Sequence, residues 1–102
     1  MTTYNDIQQS QRNGEMVKRI NEIAYFIGIE SNENNAVINA GFFNLLTNLK
    51  CHFKGECADL DGIEEEIADL AFYLGSEMNA CNADFVSQSI GTLYEIKNAI
   101  AA

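Results

Sequence analysis

Four stretches of this chain repeat their apolar residues at intervals of three and four, and none alternates apolar with polar. That is the period of a helix with one buried face and not that of a half-buried strand. In the first stretch Met16, Val17, Ile20, Ile23, Ala24 and Ile27 share a face. In the second the shared face is Ile38, Phe42, Leu45, Leu46, Leu49 and Phe53. The third carries Leu60, Ile63, Ile67, Leu70, Leu74 and Met78, and the fourth Val86, Ile90, Leu93, Ile96 and Ile100. Phe26, Ile29, Val37 and Phe43 lie off these stripes. Val37 and Phe43 are expected to broaden the buried face of the second helix, as in a helix that is central or meets another subunit.

Proline is absent, so Asn and Gly make the breaks. Residues 31–35 (SNENN), 54–62 (KGECADLDG) and 79–84 (NACNAD) each read as a short loop between helices. Asp61 followed by Glu64 has the capping-box pattern and places the third helix start near 61. Asn82 suits the cap of the fourth helix, and Asn32 or Asn34 that of the second. Thr3 with Asp6 repeats the capping-box pattern, but Gly14 within the polar run QQSQRNGE moves the firm start of the first helix to about 14. The expected organisation is therefore an N-terminal arm over 1–12, flexible or ordered by a partner, and a single helical domain over 13–102. No internal repeat is convincing along the chain. The expected fold is all-α, a small antiparallel four-helix bundle. A bundle completed by homodimerisation is the competing arrangement.

Charge narrows the class of partner. Asp and Glu number 15 against 6 Lys and Arg, giving a net charge of −9. A disordered acidic chain would lack the 47% apolar content found here. Direct nucleic-acid binding needs Lys and Arg to replace counterions around phosphates, and anionic lipid needs a basic surface. Neither fits this chain; a basic protein surface does. No apolar run has the length of a membrane span. The start MTTYNDIQQS has neither the basic nor the apolar region of a secretory signal. The cysteines Cys51, Cys57 and Cys81 are odd in number, which suits free thiols in the cytoplasm better than a Cys51–Cys57 disulfide.

Groups able to do chemistry are few. His52 is the one histidine, and its neighbour Cys51 points about 100° away on a helix, so the two do not form a nucleophile pair. No second Cys/His pair completes a zinc set. Asp59-Leu60-Asp61-Gly62 echoes part of a calcium loop, but the first ligand position falls on Cys57, the apolar position on Glu64 and the bidentate Glu position on Ala68. Asp59 and Asp61 are better read as loop and cap residues. Gly41, Gly75 and Gly91 lie inside helical stretches, where close helix approach is the expected gain. Trp is absent and the aromatics do not sit among basic residues, so no stacking platform for single strands is expected. No cofactor is implied.

One stretch carries a family signal. The run from Glu65 to Leu74, EEIADLAFYL, resembles the second acidic motif of the all-α MazG-like nucleotide pyrophosphohydrolases, in which E-x-x-D on a helix helps to hold Mg²⁺. The resemblance implies Glu66 and Asp69 as metal ligands. It covers about ten residues, and the preceding helix departs from the family pattern. Where the family has E-x-x-E, NNAVINAGFFNLLTNLK has no acid. Two ligands do not hold Mg²⁺ against water, so Glu22 or Glu77 would have to complete the set. This pyrophosphohydrolase, or a metal-free relative of it, is the alternative reading.

The leading reading comes from the far side of the third helix. With Ile63 at 0° and about 100° per residue, Phe72 falls near 180°, Glu65 near 200°, Asp69 near 240° and Asp61 near 160°. An aromatic is thus set among carboxylates opposite the apolar stripe, with Tyr73 on one shoulder. This is the anatomy of a binding hot spot. The expectation is a non-enzymatic acidic module that acts as inhibitor or adaptor on a basic partner surface, including one that binds nucleic acid. Asp61, Glu64, Glu65, Glu66 and Asp69 would steer and pair, and Phe72 and Tyr73 would anchor. Small acidic proteins of phage and bacterial conflict systems offer a class-level analogy. A structural homodimer subunit is the third reading.

Overall fold

The computed structural model describes residues 3–101, which contain four helices and no strand. The helices are α1 (Tyr4–Glu30), α2 (Ala36–Phe53), α3 (Ile63–Ser76) and α4 (Ala83–Ala101). The all-α expectation holds. The chain divides into two compact units, residues 1–59 and 60–102, so α1 packs on α2 in the first and α3 on α4 in the second.

Each pair buries the stripes that its sequence announces. In the first, Ile20, Ile23 and Ile27 of α1 and Leu45, Leu46 and Leu49 of α2 are buried. In the second, Ile63, Ile67, Leu70 and Leu74 of α3 and Val86, Leu93 and Ile96 of α4 are buried. Removing such a side chain from water stabilises by about 1.5–3 kcal/mol. Some stripe members differ from expectation. Ile38 and Met78 are exposed, Met78 in the turn that follows α3. Val37 and Phe43 do not broaden a buried face either; both are exposed.

The helix starts depart from the sequence reading for local reasons. α1 begins at Tyr4, because the Thr3–Asp6 capping box forms in both directions. The Asp6 amide donates to Thr3 Oγ1 at 3.1 Å and the Thr3 amide to Asp6 Oδ2 at 3.1 Å. Residues 1–2 of the expected arm lie outside the described residues. α3 starts one residue later than Asp61 would set it: Gly62 holds the cap position at φ 71°, without a side-chain cap. Glycine reaches that left-handed conformation without a Cβ clash. α2 ends at Phe53 in a Schellman motif, with Lys54 as the C-cap and Gly55 at φ 75°. There the Gly55 amide donates to His52 O and the Glu56 amide to Cys51 O.

The two turns within the pairs are built alike, bond for bond. In the first, Asn32 Oδ1 accepts from the amides of Asn34 and Asn35. Asn35 Oδ1 accepts from the Asn32 amide at 2.7 Å, and Asn35 Nδ2 donates to Glu30 O at 3.0 Å. In the second, Asn79 Oδ1 accepts from the amides of Cys81 and Asn82. Asn82 Oδ1 accepts from the Asn79 amide at 2.7 Å, and Asn82 Nδ2 donates to Glu77 O at 3.0 Å. Asn82 stands just ahead of α4, where its cap was expected, and Asn35 takes that place before α2 in preference to Asn32 or Asn34; the side chains of both turn back to close the preceding loop.

Aligning these turns reveals an internal repeat at a spacing of 47 residues. Ile20, Ala24, Gly28, Glu30, Asn32, Asn35, Ala36, Leu46 and Lys50 recur as Ile67, Ala71, Gly75, Glu77, Asn79, Asn82, Ala83, Leu93 and Lys97. Buried positions coincide as well, including Ile23 with Leu70, Ile27 with Leu74 and Leu49 with Ile96. A Cβ built on Gly28 would meet Phe43 Cζ at 3.8 Å, and one on Gly75 would meet Ile90 Cδ1 at 3.9 Å; Phe43 and Ile90 are themselves 47 apart. The expectation of no repeat is therefore corrected. The chain is one helix pair written twice, and α1 carries an extra N-terminal segment over 4–15. That segment runs past the end of α2, where Asn13, Gly14 and Val17 line a depression with Phe53, Lys54 and Gly55. Among the described residues nothing approaches Gly41 or Gly91 closely; a Cβ at either would meet nothing within 4 Å.

Candidate partner-binding surface

α3 separates its two faces sharply. Ile63, Ile67, Leu70 and Leu74 are buried, while Glu64, Glu65, Glu66, Ala68, Asp69 and Phe72 are exposed. Phe72 is 81% exposed, among the most exposed large apolar side chains described. Tyr73 is half-buried and makes contacts of its own, so it flanks the surface. Asp61 is exposed ahead of Gly62, and together with Leu60, Ile63, Glu64 and Glu65 they border a shallow depression at the start of α3.

The carboxylates on α3 have two different physical grounds. Glu64, Glu65 and Glu66 form the first turn, where free amides and the helix dipole favour negative charge by about 0.3–1 kcal/mol each. The repeat supports this. Their equivalents Val17, Lys18 and Arg19 lie inside α1, because α1 extends back to Tyr4, and there no acid is called for. Arg19 Nε instead reaches Glu15 Oε1 at 3.5 Å, a half-exposed i,i+4 pair of small energetic weight. Asp69 lies beyond the first turn and opposite the core, so neither capping nor packing explains it, and the same is true of Phe72.

Charge is divided unevenly between the pairs. Residues 60–102 carry 8 acids and one base, Lys97, whereas residues 1–59 carry 7 acids and 5 bases. Lys97 stands on α4 with its ammonium 6.0 Å from the Tyr94 ring centre. α3 itself carries no base.

The remaining candidate groups are dispersed. Glu66 and Asp69 both face solvent, Glu22 is exposed on α1, and Glu77 caps the end of α3. Among the described residues no three His, Cys, Asp or Glu side chains gather where they could hold a metal ion. His52 packs edge-on against Phe53, with ring centres 5.0 Å apart, and Cys51, Cys57 and Cys81 are free thiols. No helix among the described residues is long and apolar enough to cross a membrane.

Two residues of interest escape a reading of α3 alone. Tyr25 stands where Phe72 does in the repeat and is 73% exposed; Glu22 stands where Asp69 does and is exposed. The signal that finds them is the recurrence of Asn-x-x-Asn-Ala at 32–36 and 79–83. Comparison with protein-family models, with curated proteins and with solved structures gives no match. The internal repeat is therefore the comparison that the chain supplies about itself.

Proposed function

We propose that this protein is a non-enzymatic binding module, an inhibitor or adaptor, that engages a basic surface of a partner protein through the exposed face of α3. Phe72 is the anchor. Asp69 and Glu65 flank it, and Asp61, Glu64 and Glu66 extend the negative field towards the start of the helix. Tyr73 borders the anchor. The observation that carries this reading is the exposure of Phe72 on a helix with no base, in the more acidic of the two units. Exposing a phenyl ring forgoes about 1.5–3 kcal/mol of burial, and the repeat keeps an exposed aromatic at the equivalent Tyr25. A partner that covers the ring recovers that energy, and the surrounding carboxylates select a Lys- and Arg-rimmed socket and speed encounter. A groove built for phosphates is one surface of this kind, with the carboxylates taking the places of phosphates.

The test is capture on the immobilised full chain from cells that make it. Wild type is compared with Phe72→Ala and with Glu65→Lys/Glu66→Lys/Asp69→Lys. Hot-spot truncation is expected to cost about 2 kcal/mol or more, a loss of roughly 30-fold in affinity. Charge reversal is expected to remove the same protein. Capture that ignores both variants rejects this surface.

A further inference from the structure

We propose that the protein carries two docking elements of one kind, Glu22 with Tyr25 on α1 and Asp69 with Phe72 on α3, and binds two copies of the same basic, apolar-tipped partner segment, one on each helix pair. The inference rests on the reading of Phe72 as an anchor and adds to it a second site and a stoichiometry. In both elements the acid stands three residues before the aromatic, which sets the two side chains on one helix face. All four side chains are exposed, and Tyr25 and Phe72 are 73% and 81% exposed.

The repeat separates what packing needs from what it does not. Ile20 and Ile67, Ile27 and Leu74, and Leu46 and Leu93 are retained because they are buried, and the Asn pairs because they close the turns. Three other positions exposed in both leading helices have drifted apart: Lys18 against Glu65, Asn21 against Ala68, Ile29 against Ser76. Positions 22/69 and 25/72 have kept their chemistry, acid and aromatic, although both lie in solvent. Gly28 with Gly75 and Glu30 with Glu77 recur as well, the glycines beside Phe43 and Ile90 and the glutamate carbonyls as acceptors for Asn35 and Asn82; for the acid and the aromatic, a shared ligand accounts for the retention. The acid in each element fixes the sign of that ligand: an apolar group rimmed by Lys or Arg. The two sites differ in strength. Lys18, one turn before Glu22, offsets the negative field at Tyr25, whereas Asp69 sits in the 60–102 unit with its 8 acids. The Phe72 site is thus the tighter and the more salt-sensitive.

The test is an NMR titration of the full ¹⁵N-labelled chain with an amphipathic helical peptide of Leu and Lys. This probe is the simplest ligand that sets apolar side chains in a basic rim. The proposal expects amide shifts around both Tyr25 and Phe72, saturating at two peptides per chain. Tyr25→Ala should abolish the first set and leave affinity at the second within about twofold, as independent sites do; Phe72→Ala should do the reverse. Glu22→Lys and Asp69→Lys should each weaken their own site. Shifts around Phe72 alone, at one peptide per chain, overturn the second site and leave the Phe72 reading standing. Shifts that follow charge and ignore both aromatic variants overturn both. A free chain that is already dimeric with both rings covered also overturns the proposal, and identifies the occupant as a second copy.

Discussion

Asn39 and Val86 occupy the same buried position in the two helix pairs, and one carries an amide where the other carries only methyl groups. Asn39 Nδ2 donates to Asn35 Oδ1 at 3.1 Å, but its Oδ1 is buried without a hydrogen-bond partner. An unsatisfied buried carbonyl costs about 1–3 kcal/mol. Asn39→Val transfers the solution already present at Val86. It is expected to stabilise the chain by about 1 kcal/mol after loss of the Asn35 bond, with Val86→Asn destabilising by a similar amount or more. Urea denaturation of the two variants measures both. A destabilised Asn39→Val chain would show that the amide is satisfied in solution.

The turn asparagines should behave as equals. Asn32 and Asn79 each use one side-chain oxygen to hold two backbone amides at the mouth of a helix. Asn32→Ala and Asn79→Ala are each expected to cost about 1–2 kcal/mol, the scale of a lost cap. Thermal melts should place the two variants within about 0.5 kcal/mol of each other if the turns are energetic as well as geometric duplicates. A large inequality would separate them.

Gly91 lies within α4, exposed, with nothing within 4 Å of a Cβ added there. Gly91→Ala should therefore stabilise the chain by about 0.5–1 kcal/mol through helix propensity alone. Gly75→Ala meets Ile90 at an ordinary van der Waals distance, 3.9 Å, and should also be tolerated. A destabilised Gly91→Ala variant would mean that another surface approaches α4 at this point.

Much of the helix pattern was legible in the sequence, because a period of three and four is a strong and local signal. The centres of the four stripes, around Ile20, Leu46, Ile67 and Leu93, are buried as read, while Ile38 and Met78 are exposed. Their ends were less legible. A capping pattern at Asp61 lost to the left-handed conformation of Gly62, and the polar run around Gly14 remained helical under the Thr3–Asp6 box. The repeat stayed hidden because apolar stripes look alike in any helix, while Lys18 and Arg19 against Glu65 and Glu66 reverse the charge at matching places. The hydrogen bonds of Asn35 and Asn82 fix the alignment that the stripes leave ambiguous. The exposure of Phe72 followed from helix geometry alone; Tyr25 became visible only through the repeat.

Phe72 is expected to stand free in solvent on the isolated chain, and an indole put in its place reports on this directly. The chain has no Trp, so Phe72→Trp introduces a single indole at the point in question. Its fluorescence in dilute solution is expected to peak where fully hydrated indole does, to be quenched readily by acrylamide, and to shift to the blue when the Leu and Lys peptide is added. An indole that is blue-shifted and shielded in the free, dilute chain would contradict the account, because the ring would then already be covered and could not serve as an anchor.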